Sequence, residues 1–393
     1  MSGPGEQEIG ARLRAWRHYR RLSLEEVAGL AGITAPYLSR IERGLRPLDK
    51  LSTRAALARA LGVSTADLAG LPLAATDTAT ERAHAAVAGV RLALVDTAAG
   101  VPGGTGDADL TGALDRFRAL RDAGTYDELA LSAPYLIGRL AADARTAELA
   151  EVLGTTSTML RNLGYLDLAL IAAQRAQTTA RAGDDPVLSA LSAWWVGKAL
   201  IPAGATGTAV RVQTDALEAL AGQRDTRARQ SAAALHLNLA WAYSIAGSKG
   251  DAFEQAGSAG GIALRQGTAP LYVRPLLGGG VTVEDVGVCQ VSLAVELGEP
   301  EAAVDYARGL DLGRLDSPAR VATYWADLGR ALSTDRRRAA ESVRALTTAE
   351  SLTPQRVRAS ASLRETVAGL LGQARRSAGG RDLVSLASRM GVE

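Results

Sequence analysis

At 393 residues the chain exceeds what one hydrophobic core usually serves, so two units, or one compact unit plus an extended array, are expected. Hydrophobic residues make up 47%, enough to bury a core, and the single cysteine, Cys289, excludes an internal disulfide framework and a cysteine-based zinc cluster; no cofactor is expected. Net charge is only +2, yet residues 1–70 carry 11 Lys or Arg against 7 Asp or Glu while the remainder carries 33 against 35, and a basic excess in a short segment is the footprint of a phosphate-binding surface. The opening MSGPGEQEIG has no basic start followed by an apolar run, and no stretch reaches the roughly 20 apolar residues of a membrane helix. A soluble, cytoplasmic protein with no membrane partner is expected.

Alanine, leucine and arginine dominate, apolar residues recur at three and four, and glycine or proline marks the breaks, so the chain is read as all-α. The spacing predicts a first helix over Ile9–Leu22, with Ile9, Leu13 and Trp16 on one stripe. Ser23, with Glu26 three residues on, forms a capping box for a second helix that runs to Ala31 and breaks at Gly32. Thr34 caps a third, Pro36 is tolerated in its first turn because those amides have no helical partner, and Gly44 ends it after Arg43. Two short helices follow near Lys50–Leu61 and Thr65–Leu71, completing a five-helix unit over residues 1–71.

Two helices crossing at a tight turn need apolar inner faces, a small residue at the contact and a turn residue tolerant of positive φ. Val27, Ala28, Ala31, Gly32, Ile33, Leu38 and Ile41 supply these in order. On those residues LSLEEVAGLAGITAPYLSRIERGLRP resembles the helix-turn-helix family of phage-repressor type, also called the Cro/C1 or xenobiotic-response-element family, over about residues 7–70. The resemblance implies a double-stranded DNA operator as partner, with the second motif helix in the major groove. Since Leu38 and Ile41 must be buried, Ala35, Pro36, Ser39, Arg40 and Arg43 face outward, and Arg40 is the best base reader because a guanidinium can bond guanine O6 and N7 together. Thr34, Tyr37, Arg43, Arg46 and Lys50 resemble phosphate contacts, and Ser23 completes the DNA-binding set, although Tyr37 could also pack the helix pair. The family often has glutamine at the start of the first motif helix and hydrogen-bonding side chains early in the reading helix; Leu24, Ala35 and Pro36 stand there instead. Readout then rests on few residues, helped by DNA shape.

Beyond Leu71 the composition shifts: PLAATDTATE is small and polar, Glu81–Ala98 has the pattern of a connecting helix, and Gly100–Asp109 is glycine-rich, so residues 72–109 are read as a linker. The glycine-rich loop follows no strand and is not a phosphate cradle. From 110 to 393 a repeat emerges when helix pairs are aligned on a turn glycine: Gly124, Gly164, Gly204, Gly247 and Gly298 are each followed five residues later by Leu129, Ala169, Ala209, Ala252 or Ala303. Glycine at the turn and a small or apolar residue where the second helix meets the first point to a stacked α-solenoid. A sixth unit, Val321–Ala345, lacks the glycine. The pattern resembles degenerate tetratricopeptide repeats, and the layout is similar to actinobacterial regulators that join such repeats to this DNA reader, and to the peptide-sensing quorum regulators of Gram-positive bacteria.

In that repeat geometry, residues ten, six, three and two places before each glycine line the concave face. They are Leu114, Arg118, Arg121 and Asp122; Gly154, Thr158, Arg161 and Asn162; Trp194, Lys198, Ile201 and Pro202; and Leu237, Trp241, Ser244 and Ile245. The resulting ligand set is Arg118, Arg121, Thr158, Arg161, Asn162, Trp194, Lys198 and Trp241, suited to a peptide or small acidic effector. The competing view of Trp194 and Trp241 is core packing, and of Arg118 and Arg121 solvation. His18, His84 and His236 lie apart and no nucleophile, metal or paired-carboxylate motif appears, so an enzyme is not expected. The whole reads as a homodimeric transcription regulator; the alternative is an interaction scaffold or biosynthetic accessory protein or enzyme whose helix-turn-helix is vestigial.

Overall fold

The computed structural model describes residues 9–96, 110–266, 280–315, 317–374 and 380–392, and among them there are helices and no strand. The first five helices, α1 (Ile9–Tyr19), α2 (Leu24–Ala31), α3 (Ala35–Glu42), α4 (Leu51–Leu61) and α5 (Thr65–Ala69), enclose a core of Leu13, Val27, Leu38, Ile41, Leu57 and Leu61. Their ends follow local chemistry. Ser23 Oγ accepts from the Glu26 amide at 3.1 Å while the Glu26 carboxylate accepts from the Ser23 amide at 2.7 Å, and Gly32 closes α2 at φ 68°, a conformation open to glycine at no steric cost. Thr34 Oγ1 accepts from the Tyr37 amide at 3.3 Å and starts α3. Arg17 and Glu42, whose side chains are both little exposed, pair across α1 and α3 through bonds of 2.7 and 2.9 Å.

Helix α6 (Thr78–Val95) buries Ala83, Val87, Val90 and Ala93 in the same core as the first repeats and packs on α8, so this segment is a structural part of the array. The glycine-rich stretch Gly100–Asp109 lies outside the described residues. The repeats then run as α7 (Leu110–Ala123) with α8 (Tyr126–Ala142), α9 (Thr146–Asn162) with α10 (Leu166–Ala182), α11 (Pro186–Leu200) with α12 (Thr206–Leu220), α13 (Thr226–Ile245) with α14 (Lys249–Gln266), and α15 (Val283–Leu297) with α16 (Pro300–Arg308). Gly124, Gly164, Gly204, Gly247 and Gly298 all sit in these turns at positive φ, from 70° to 93°. Leu129, Ala169, Ala209, Ala252 and Ala303, five residues on, are all fully buried where the second helix of each pair packs on the first. A sixth pair, α17 (Pro318–Leu332) with α18 (Ala339–Leu352), turns without glycine, as the sequence implies; α19 (Pro354–Arg358), α20 (Ala361–Ala374) and α21 (Arg381–Arg389) finish the described chain.

The array bends far enough for its ends to meet. Helix α17 touches α7, and Gln355 accepts from the Tyr126 amide at 2.6 Å while donating to Asp127 at 2.9 Å. The N-terminal unit seats on the inner side of this closed path. The Ser52 amide donates to Glu296 at 2.6 Å, the Leu48 amide to Glu365 at 3.2 Å, Arg54 to Ser362 at 3.1 Å, and Arg330 to the Asp49 carbonyl at 3.1 Å. Thr65 donates to the Pro202 carbonyl and Arg358 pairs with Asp77 at 2.6 Å. These bonds come from α4, α5 and the segments flanking them, and none of them involves α3.

Candidate nucleic-acid interface and interior cavity

Pro36 and Arg40 are exposed four residues apart on one face of α3, and exposed Arg43 at its C-terminal cap and Arg46 beyond it follow. Leu38 and Ile41 hold the opposite face in the core. Arg40 and Arg46 have no side-chain partner among the described residues, and Arg43 bonds only the Ser39 carbonyl at 3.2 Å. A cationic helix face with unengaged guanidinium groups is chemically fit to meet base edges and phosphates. The remaining expected contacts have other engagements. Ser23 and Thr34 are occupied as caps; Ala35 and Ser39 are half-buried. Tyr37 is half-buried against the domain core, where burial, and secondarily Asp49, holds its hydroxyl pKa above the usual range. Lys50 is half-buried with its ammonium beside Gly298, at the turn of the fifth repeat.

On the other side of this domain lies a cavity of about 580 Å³. Its walls come from first helices of repeats, from α17, α19 and the start of α20, and from Leu51, Arg54, Thr65 and Leu71 of the N-terminal unit. Arg121, Thr158, Arg161, Asn162, Trp194, Lys198 and Trp241 of the expected ligand set all line it. Arg118 does not: it forms a bidentate pair with buried Glu151 at 2.9 and 2.6 Å and a further bond to Asp115 at 3.0 Å. Asn162 donates to the Tyr126 hydroxyl at 2.6 Å, and Lys198 stands over the Trp194 ring, 5.5 Å from its centre. Both tryptophans also pack against core clusters, so each serves packing and wall together.

Electrostatics in the cavity are unusual for a packed interior. Burial, then the charges of Arg161 and Arg356, brings Lys198 down to about 8; burial, then Arg356, brings Arg161 down to about 10. Cys289, also on the wall, is pushed up to about 12 by burial and stays a thiol. Among the described residues no group of His, Cys, Asp and Glu is placed to hold a metal ion, and no helix is long and apolar enough to cross a membrane.

Fold and surface together define an all-α chain in which a helix-turn-helix domain is mounted on a solenoid of successive helix pairs. Comparison with known families agrees for the first part: residues 8–71 match the family described as a helix-turn-helix domain. No curated protein matches the chain. Among solved structures, the crystal structure of BtubC (BKLC) from P. vanneervenii is similar over 65% of this chain and 93% of that chain, at 17% identity and a TM-score of 0.36, a likeness on which nothing below rests.

Proposed function

We propose that the chain is a sequence-specific DNA-binding transcription regulator that works as a homodimer and whose repeat array holds a peptide or small-molecule effector. The observation that carries this reading is the two-sidedness of the helix-turn-helix domain: Pro36 and Arg40 of α3 and Arg43 at its C-terminal cap stand in solvent while Leu51, Arg54 and Thr65 of the same domain wall the cavity. DNA and effector would then touch opposite sides of one small body, and any ligand that alters its seat alters how the reader is presented. Coupling of this kind typically amounts to about 1–3 kcal/mol and is reciprocal. A homodimer fits because one small reader gives little affinity and operators of the related repressors mirror a two-fold axis.

Gel shifts of the full chain on DNA from upstream of its own gene, over a salt series, test the reading. The expected result is retention of one fragment against excess random DNA, with affinity falling steeply as salt rises. No binding even at low salt would remove DNA from the function and leave the interaction-scaffold reading, for which Leu24, Ala35 and Pro36 at positions that often bear hydrogen-bonding side chains would be the sequence support.

A further inference from the structure

The cavity wall carries more positive charge than its own carboxylates neutralise. Arg320 meets Asp285 at 2.6 Å, Arg330 meets Asp327 at 3.1 Å and Glu296 at 3.7 Å, and Arg121 meets Asp122 at 2.9 Å. Those pairs use every Asp and Glu on the wall. Arg356 donates only to neutral acceptors, the Ala319 carbonyl at 2.7 Å and Thr323 Oγ1 at 2.9 Å. The Arg161 side chain makes no hydrogen bond among the described residues and its Nε is buried, while the Lys198 ammonium has only the Trp194 ring. These three cations come from α9, α11 and α19, far apart in sequence, and are close enough that Arg161 feels the charge of Arg356 and Lys198 feels both. Around them Thr155 Oγ1 and Thr353 Oγ1, on buried side chains of the wall, also lack partners among the described residues. Unpaired charge and unpaired hydroxyls in an interior are costly, and the arrangement becomes favourable once an anion supplies the missing acceptors.

We propose that this cavity binds a small organic acid, a carboxylate or phosphate monoester on an apolar body, with its acid group held by Arg161, Lys198 and Arg356. Met159, Trp194, Leu237, Trp241 and Val288 offer the surface for the apolar body. The volume lies within the range of small-molecule sites, and the closed path of the array, plugged by Leu51, Arg54 and Leu71, favours a compact ligand over an extended peptide. Resting on the reading of the array as a sensor, this narrows the effector class and gives its route to the reader. The anion ties α9 and α11 to α19, and the next helix, α20, holds the reader through Ser362 to Arg54 and Glu365 to the Leu48 amide.

Titration calorimetry on the full chain without DNA, using decanoate, decyl phosphate, 1-decanol and decyltrimethylammonium as probes, separates the terms. At least one of the two acids should bind one molecule per chain, with the alcohol and the ammonium weaker by roughly tenfold or more; which acid binds better distinguishes carboxylate from phosphate. Arg161→Gln combined with Lys198→Gln, or Arg356→Gln alone, should weaken the acid by a similar factor, and Arg116→Gln, on an exposed pair, should not. Near pH 8 the acid should bind with proton uptake, because an anion beside Lys198 raises its pKa, and Lys198→Gln alone, checked for folding by circular dichroism, should abolish the uptake. Decanol binding as tightly as decanoate, neither acid binding, or an unchanged affinity in the folded variants overturns the proposal. Since no DNA is present, that failure is separate from a failure of the gel shifts.

Discussion

Arg40 and Arg46 on the reader, and Arg161 and Lys198 in the cavity, all lack a carboxylate partner among the described residues, but the first two are exposed and the last two are half-buried in a cavity wall. In water an unpaired guanidinium is ordinary, and only its place on a groove-reading helix gives it meaning. In an interior the same deficit is an energetic penalty that packing alone does not explain. The rest of the molecule shows how this chain treats buried charge when nothing else is at stake: Arg17 is paired with Glu42, Arg118 and Arg121 share Glu151, and Arg358 and Arg389 share Glu350. Against those pairs, Arg161, Lys198 and Arg356 stand on the cavity wall without a carboxylate, as does Arg54, which is bonded to the Leu48 carbonyl and Ser362.

The contrast can be broken most forcefully where compensation is complete. Glu42→Ala should destabilise the reader by about 3 kcal/mol, because it strands buried Arg17, whereas Glu128→Ala, whose partner Arg116 is mostly exposed, should change stability by less than about 1 kcal/mol. Urea unfolding of both variants checks the pair, and similar losses would erase the distinction between buried and exposed charge.

The opposite sign is expected in the cavity. Lys198→Met should stabilise the empty protein by about 1–3 kcal/mol while weakening any acidic ligand. The pH dependence follows. With a folded pKa of about 8 and an unfolded value of about 10.4, the unfolded chain binds more protons between those values, so this residue's contribution to stability rises with pH from about 8 to about 10.4. Lys198→Met lacks this term, so the melting temperature of the parent should rise relative to the variant's between about pH 8 and about pH 10.4. A variant less stable than the parent at pH 7 would make Lys198 a structural cation.

On the outer surface the effects are seen only with DNA. Arg40→Ala should lower binding to a specific site by about 1–3 kcal/mol and relax one base pair, while Arg46→Ala should weaken all DNA alike and reduce the salt slope by about one. Equal losses on specific and random DNA for both variants would deny Arg40 its reading role.

Much of this was legible because glycine and small residues carry backbone information. The turn glycines sit at positive φ, and a register counted back from them reached Arg121, Thr158, Arg161, Asn162, Trp194, Lys198 and Trp241 on the cavity wall. The same count from Gly298 reaches Val288, Ser292 and Glu296, also on the wall, so the fifth repeat carried the signal unread. Arg118 shares the register but is turned aside by Glu151 on the next first helix, a partner that no single-helix pattern reveals. Arg356, Thr353 and Arg54 were beyond reach for a different reason: they arrive by closure of the array and by seating of the reader, contacts between residues hundreds of positions apart. The same seating draws Lys50 to Gly298. The segment read as a connecting helix, Glu81–Ala98, is helical over Thr78–Val95 but buries Ala83, Val87, Val90 and Ala93 in the array, where it packs on α8.

The most direct test of the regulator reading is selection of DNA from a random pool by the full chain, followed by sequencing of what it retains. The account predicts enrichment of one motif with two inverted half-sites whose centres lie about 34 Å apart, or a multiple of that distance, and loss of the motif in Arg40→Ala. A pool that remains random, or a motif that Arg40→Ala retains unchanged, would contradict it.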